Sequence, residues 1–166
     1  FVESAMRIDG SSIINIGCFY PWAEIEWGHR AKEWTGLDIN SIVLQRANEA
    51  LSRYPDHRVI FTQGDVISPL YMGRRFDYVL DLSTFDQLDP RQYYTALCNY
   101  TRFSNSLVMA YDATHEPLAV FDFTRYGFNA LINPETMADM LVQMGYKIID
   151  HRPFSYHNRS YISAVL

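Results

Sequence analysis

The chain has 166 residues, 48% of them hydrophobic and 20% charged, with a net charge of −5. That length buries one real core, and that composition excludes intrinsic disorder. The negative balance argues against a nucleic-acid backbone as the main partner, because phosphate binding needs a basic surface; Arg74 and Arg75 form one local basic pair. Cys18 and Cys98 lie far apart, and no Cys or His cluster has zinc spacing, so no metal is expected. Two separate thiols fit a reducing cytoplasm, although one disulfide is arithmetically allowed. No apolar run reaches transmembrane length, and no basic stretch followed by an apolar one opens the chain, so no membrane partner is expected. Phe1 rather than Met stands first, which fits a processed or truncated chain lacking an N-terminal segment.

In chain order, Ser12–Ile16 is nearly continuous in apolar residues, as buried parallel strands are. Pro21 opens a helix to about Lys32. Trp34–Ile39 reads as a second strand. Asn40 or Ser41 caps a helix from Ile42 to Tyr54, which Pro55 and Asp56 break. Arg58–Thr62 is a third strand and Phe76–Leu82 a fourth. Asp89 and Pro90 cap a helix to Arg102, and Ser106–Tyr111 is a fifth strand. Asp112–Asn133 reads as a long aromatic connection. A helix starts at Asn133-Pro134-Glu135 and ends at Gly145. Tyr146–Asp150 and Tyr161–Leu166 close the chain with no room for a crossover helix between them, so they pair antiparallel.

This alternation predicts an α/β, Rossmann-like three-layer sandwich: one domain with a mostly parallel seven-stranded sheet and an antiparallel last strand. In such sheets ligands bind beyond the carboxyl ends of the strands, at the point where strand order reverses. Four loops meet there: Gly17–Trp22, Asp38–Ser41, Gly64–Ile67 and Asp81–Gln87. Gly17 permits a tight turn and close approach of a ligand to the backbone. Asp38 ends the second strand, where a carboxylate can accept both ribose hydroxyls. Asp65 is placed to accept from an adenine amino group. Each has a plainer alternative, as a turn glycine, a helix cap and a turn residue.

At these residues the sequence resembles the class I S-adenosylmethionine-dependent methyltransferases. Asn15-Ile16-Gly17-Cys18-Phe19-Tyr20 looks like the family's acidic-x-Gly-x-Gly loop. Thr35-Gly36-Leu37-Asp38-Ile39 resembles the ribose motif, and Gly64-Asp65-Val66 the adenine motif. The run from Phe76 through Asp81 to Ser83 resembles the fourth-strand motif near the methionine end of the cofactor. The final strand pair is similar to the family's antiparallel hairpin. The departures are Asn15, where the family carries an acid, and Phe19, where it carries a second glycine.

The resemblance implies S-adenosyl-L-methionine as cofactor. It would be held by Asn15, Gly17, Cys18, Phe19, Asp38, Ile39, Asp65, Val66, Asp81 and Ser83. The implied reaction is methyl transfer to a small-molecule or saccharide-like acceptor. The protein's task is then alignment and exclusion of water. A general base is needed only for an acceptor that must lose a proton. His115, following the fifth strand and titrating near neutrality, and Asp86 are the candidates, with Asp112 and Tyr126 behind them. Phe121, Phe123, Tyr126 and Phe128 read as core packing or as an acceptor pocket. Cys18 has no activating partner in sequence and is not proposed as a nucleophile.

Two other functions compete. A non-catalytic scaffold of the same fold is motivated by Asn15 and Phe19. A nicotinamide-binding dehydrogenase fits Gly17 and Asp38, but not the missing Gly-x-Gly-x-x-Gly or the antiparallel last strand. Nothing in the sequence names the acceptor atom or an oligomeric state.

Overall fold

The computed structural model describes residues 1–68, 73–82, 84–115, 120–124, 127–156 and 159–166; over 120–124, 127–130 and at Tyr156 it describes the backbone only. Ser12–Ile16 (β1) is buried along its whole length, as a central strand covered on both faces must be. It pairs in parallel with Glu33–Asp38 (β2) on one side and Tyr78–Asp81 (β4) on the other. Val59–Gln63 (β3) continues the sheet beyond β2, and Ser106–Asp112 (β5) continues it beyond β4, all parallel. Arg159–Val165 (β9) then runs antiparallel between β5 and Lys147–Tyr156 (β8). The order is β3-β2-β1-β4-β5-β9-β8, seven strands with the last in sequence reversed. The chain leaves β1 toward β2 and later returns to its other side as β4, so the crevice opens at the carboxyl end of β1.

The helices are Val2–Ala5 (α1), Trp22–Trp27 (α2), Ser41–Leu51 (α3), Tyr93–Phe103 (α4) and Pro134–Gln143 (α5). Their starts follow local chemistry. The Asn40 side chain accepts from the Ile42 and Val43 amides at 2.9 and 3.4 Å, and Asn133 does the same for Glu135 and Thr136 ahead of α5. Asp89 and Gln92 close a capping box on a 3-10 turn, Pro90–Gln92, which leads into α4. Because successive strand residues face opposite ways, β1 feeds two cores. Ile14 and Ile16 pack with Leu37, Leu97, Met109, Met137 and Ile162, while Ile13 packs with Trp27, Trp34, Leu80 and Val108. Each such fully buried side chain contributes about 1.5–3 kcal/mol of hydrophobic free energy. Cys18 is buried, Cys98 is exposed, and both are free thiols.

Four segments differ from the sequence expectation, the first being the short helix α1, which the sequence reading left without an element. The connection Asp112–Asn133 contains an antiparallel pair, Val120–Thr124 (β6) and Gly127–Leu131 (β7). Phe121 and Phe123 sit two apart, the period of a strand, and that signal was masked by the general aromatic richness of the segment. β8 runs on to Tyr156 rather than stopping at Asp150; a break in register between Arg152 and Tyr156 accommodates Pro153, which has no amide to donate. α2 ends at Trp27 rather than near Lys32, with Gly28 following it. Among the described residues no helix is long and apolar enough to cross a membrane.

Candidate functional site

The loop after β1 is shaped by Gly17. Its φ of +62° lies in the left-handed region, and a Cβ there would stand 1.8 Å from Thr84 Oγ1. Thr84 is fixed from both sides. Its hydroxyl donates to the Ile16 carbonyl at 2.8 Å, and its amide donates to Asp81 Oδ1 at 2.8 Å. The loop is tied to β2 as well: the Gly17 and Cys18 amides both donate to the Leu37 carbonyl, at 2.7 and 3.1 Å. Phe19 takes up a φ of +31°, rare for a bulky residue. Its amide donates to Asp38 Oδ2 at 3.2 Å, while the Asn40 amide donates to Asp38 Oδ1 at 2.9 Å. Asp38 therefore braces the first loop and the entry to α3 together. A carboxylate offers about four acceptor sites, so it keeps capacity for a ligand's hydroxyls.

These loops open into a cleft of about 1030 Å³. Asn15, Gly17, Cys18, Phe19, Asp38, Ile39, Asp65 and Val66 all line it. Asp38 and Asp65 are half-buried, and Phe19, 72% exposed, stands at the rim instead of filling the space. Asp65 also makes a local turn, accepting from the Ile67 amide at 3.0 Å. The Asn99 amide group of α4 holds the Val66 carbonyl at 2.7 Å. The Cys18 thiol is pushed up by burial and by the Glu24 and Asp38 charges, which keeps it protonated and non-nucleophilic.

The remaining sequence candidates stand elsewhere. Asp81 is fully buried and does not line the cleft; its Oδ2 accepts from the Tyr100 hydroxyl at 2.5 Å and its Oδ1 from Thr84. It links β4 to α4 and braces the wall from behind. Asp86 is only 2% exposed and also lies off the cleft. Burial, with Asp112 and Asp81 nearby, pushes its carboxyl up to about 7. His115 is exposed, stacks on the Phe154 ring at 3.9 Å between centroids, and does not line the cleft. Ser83 and Tyr126 lie outside the described residues, as do the side chains of Phe121, Phe123 and Phe128.

Other residues complete the walls. Thr84, Gln87, Leu88 and Gln92 come from the segment after β4, and Phe1, Val2, Tyr20, Trp22 and Trp27 from α1, α2 and the residues just before each. Arg159 and Tyr161 enter from β9, whose reversed direction brings its start to the carboxyl ends of the parallel strands. Arg159 pairs with Asp112 Oδ1 at 3.5 Å and donates to the Leu82 carbonyl. Behind the wall, Glu24 of α2 is fully buried; its Oε1 accepts from Asn15 Nδ2 at 2.7 Å and from Trp34 Nε1 at 3.1 Å. Burial pushes Glu24 up to about 7, against the pull of those two donors. A signal for it existed: Glu24, Trp27 and Ala31 recur at helical spacing, an acid on an otherwise apolar face.

Neither a family model nor a curated protein sequence matches the chain. Solved structures do. The glycopeptide N-methyltransferase MtfA complexed with S-adenosyl-L-homocysteine aligns over 100% of this chain and 86% of its own, at 15% identity and a TM-score of 0.81. An S-adenosylmethionine-dependent methyltransferase from Methanosarcina mazei aligns over 99% and 96%, at 14% identity and 0.79. Magnesium protoporphyrin IX methyltransferase (ChlM) from Synechocystis PCC 6803, with bound S-adenosylhomocysteine, aligns over 96% and 75%, at 14% identity and 0.78. The chain has the fold of the class I S-adenosylmethionine-dependent methyltransferases.

Proposed function

We propose that the chain binds S-adenosyl-L-methionine and transfers its methyl group to a small-molecule acceptor. The observation that carries this reading is the junction of the Gly17 loop with the Asp38 carboxylate, at the crevice of a methyltransferase-type sheet. The similar glycopeptide N-methyltransferase MtfA, which has also been solved with S-adenosyl-L-methionine, supports it.

The residues present fit the cofactor. Asp38 retains acceptor capacity toward two ribose hydroxyls, and Ile39 and Val66 offer apolar surface to an adenine ring. Asp65 serves the adenine amino group. The Gly17–Phe19 backbone and Asn15 serve the amino-acid end. When bound, the cofactor supplies an electrophilic methyl carried on a sulfonium. The chain's own contribution is to hold an acceptor in line with that methyl and to exclude water.

At 1030 Å³ the cleft has the upper size of small-molecule sites, room for a cofactor and a second ligand. Its aromatic wall of Tyr20, Trp22, Trp27 and Tyr161 suits an acceptor with a ring face, saccharide-like metabolites included. Phe19 at the rim leaves the cleft open, which counts against the scaffold alternative.

Isothermal titration with S-adenosylmethionine and S-adenosylhomocysteine tests the reading, with NADH as the competing ligand. Micromolar binding of the first two is expected. No binding at millimolar ligand, or tighter binding of NADH, overturns it.

A further inference from the structure

A carboxyl group buried beside the cleft, with a polar contact into its wall, needs a reason. Glu24 is fully buried, and its Oε2 has no hydrogen-bond partner. Both donors that reach it, Asn15 Nδ2 and Trp34 Nε1, converge on Oε1. Burying a carboxyl so incompletely satisfied costs folding free energy that a leucine or methionine of similar volume would not. An acid in the first turn of α2 favours the helix, but a solvent-exposed carboxylate would give that benefit without the cost of burial.

The geometry points to a role toward the ligand. Asn15 belongs to β1, lines the cleft, and has its amide nitrogen committed to Glu24. An amide has one donor end and one acceptor end. With the nitrogen turned to Glu24, Oδ1 is the end left for the cleft, and among the described residues it takes no hydrogen bond. Resting on the cofactor reading above, we infer that Glu24 is a positioning residue for the ammonium group of the cofactor's amino-acid tail: it fixes the Asn15 amide with Oδ1 toward the ligand and places a negative charge behind it. The strand residue alone offers a neutral acceptor; the helix residue behind it makes the pair anionic.

The surroundings fit this division of labour. Around Glu24, β1 presents Asn15 and β2 presents Trp34, both neutral donors to a carboxylate. The first loop presents the Cys18 thiol, which burial and the Glu24 and Asp38 charges hold protonated. Among the described residues Glu24 makes no ion pair, so its charge is not neutralised within the protein and is available to a cation in the cleft. Burial brings its titration up to about 7. The relay is therefore strengthened as pH rises through neutrality and weakened as it falls.

The test compares two ligands by isothermal titration. S-adenosylhomocysteine carries the amino-acid tail; 5′-methylthioadenosine keeps the adenosine and the thioether but lacks it. Glu24→Gln is expected to weaken S-adenosylhomocysteine about tenfold, with 5′-methylthioadenosine changed by less than about twofold. Equal losses for both ligands would make Glu24 a packing residue and overturn the inference, as would no loss for either. If the unaltered chain binds neither ligand, the methyltransferase reading itself fails and takes the inference with it. If it binds both but Glu24→Gln does not discriminate, the inference alone fails.

A second measurement does not depend on a variant folding. In the unaltered chain, affinity for S-adenosylhomocysteine is expected to fall as pH drops through about 7, while 5′-methylthioadenosine stays flat. The ligand's amine gains rather than loses its proton over that range, so the fall would come from the protein. Without any ligand, the Trp34 indole N–H resonance should shift with the same midpoint. A flat indole resonance together with a flat affinity profile would overturn the inference.

Discussion

Five aspartates end or follow strands near the cleft, and they divide at β1. On the β2–β3 side, Asp38 and Asp65 are half-buried, accept from turn amides and line the cleft. On the β4–β5 side, Asp81 and Asp86 are sealed off from it, and Asp112 stands beside Arg159. The residue type is the same; the covering differs. After β2 and β3 the chain turns through short loops whose amides reach the carboxylates. After β4 it makes a turn, Phe85–Gln87, that stacks Phe85 on Tyr93 at 4.4 Å between centroids and brings α4 down over Asp81. One side of the molecule leaves its acids open to the cleft. The other uses them, protonated or hydrogen-bonded, to hold the wall.

The sharpest way to break this division is at the hinge between its halves. Gly17→Ala sets a Cβ against Thr84 Oγ1 at a positive φ, so unfolding free energy should fall by about 3 kcal/mol or more, read from urea denaturation. Adding Thr84→Ala should recover part of that loss, because the clash goes and only the backbone penalty remains. A full loss in the double variant would show that the contact between halves is not what Gly17 serves.

On the ligand side, Asp38→Ala should weaken S-adenosylhomocysteine about a hundredfold by titration calorimetry, since it removes a charged acceptor and the brace on the first loop. Asp65→Asn should cost about tenfold or less. If Asp81→Asn weakened binding as much as Asp38→Ala at unchanged stability, the contrast between the two sides would be wrong.

On the wall side the expected effect is on stability. Asp86 has an ordinary value of 3.8 and is pushed up to about 7 in the folded chain. Between those values the folded state holds a proton that the unfolded state has lost. Stability from this group is therefore full below about pH 4 and is lost as pH rises through about 7. Asp86→Asn should leave stability unchanged at acid pH and raise it by on the order of 2 kcal/mol above pH 8. Glu24 shifts in the same direction and adds to the residual slope, while His151, held below its ordinary value by burial, opposes it. Thermal melts across pH check this. The smallest effect is at the rim: Phe19→Gly relieves the positive φ, partly offset by greater freedom of the unfolded chain, for a gain of about 0.5 kcal/mol in urea unfolding.

Much of the scaffold was legible in the sequence, and the reason is local. β1 reads as Ser12–Ile16 because a strand buried on both faces is nearly continuous in apolar residues, and the caps at Asn40, Asp89 and Asn133 announce their helices. The missing crossover between β8 and β9 was enough to set their antiparallel pairing. In the cleft, Gly17, Asp38, Asp65 and Val66 were readable because strand ends converge at a switch point. Asp81 was not, because whether an aspartate at a strand end faces a ligand or a helix depends on Tyr100, nineteen positions further on. His115 and Asp86 were placed in the site by their position after strands, while their neighbours, Phe154 and Asp112, decide where they stand. Arg159 and Tyr161 reach the cleft only because β9 runs backward, which sequence spacing implies but does not spell out residue by residue.

The most direct measurement is a crystal structure of the chain soaked with S-adenosylhomocysteine. The account predicts the ribose hydroxyls on the Asp38 carboxylate, the adenine between Ile39 and Val66, and the amino-acid tail at Asn15 and the Gly17 loop. A ligand seated away from Asp38, or a cleft that stays empty at millimolar ligand, would contradict it.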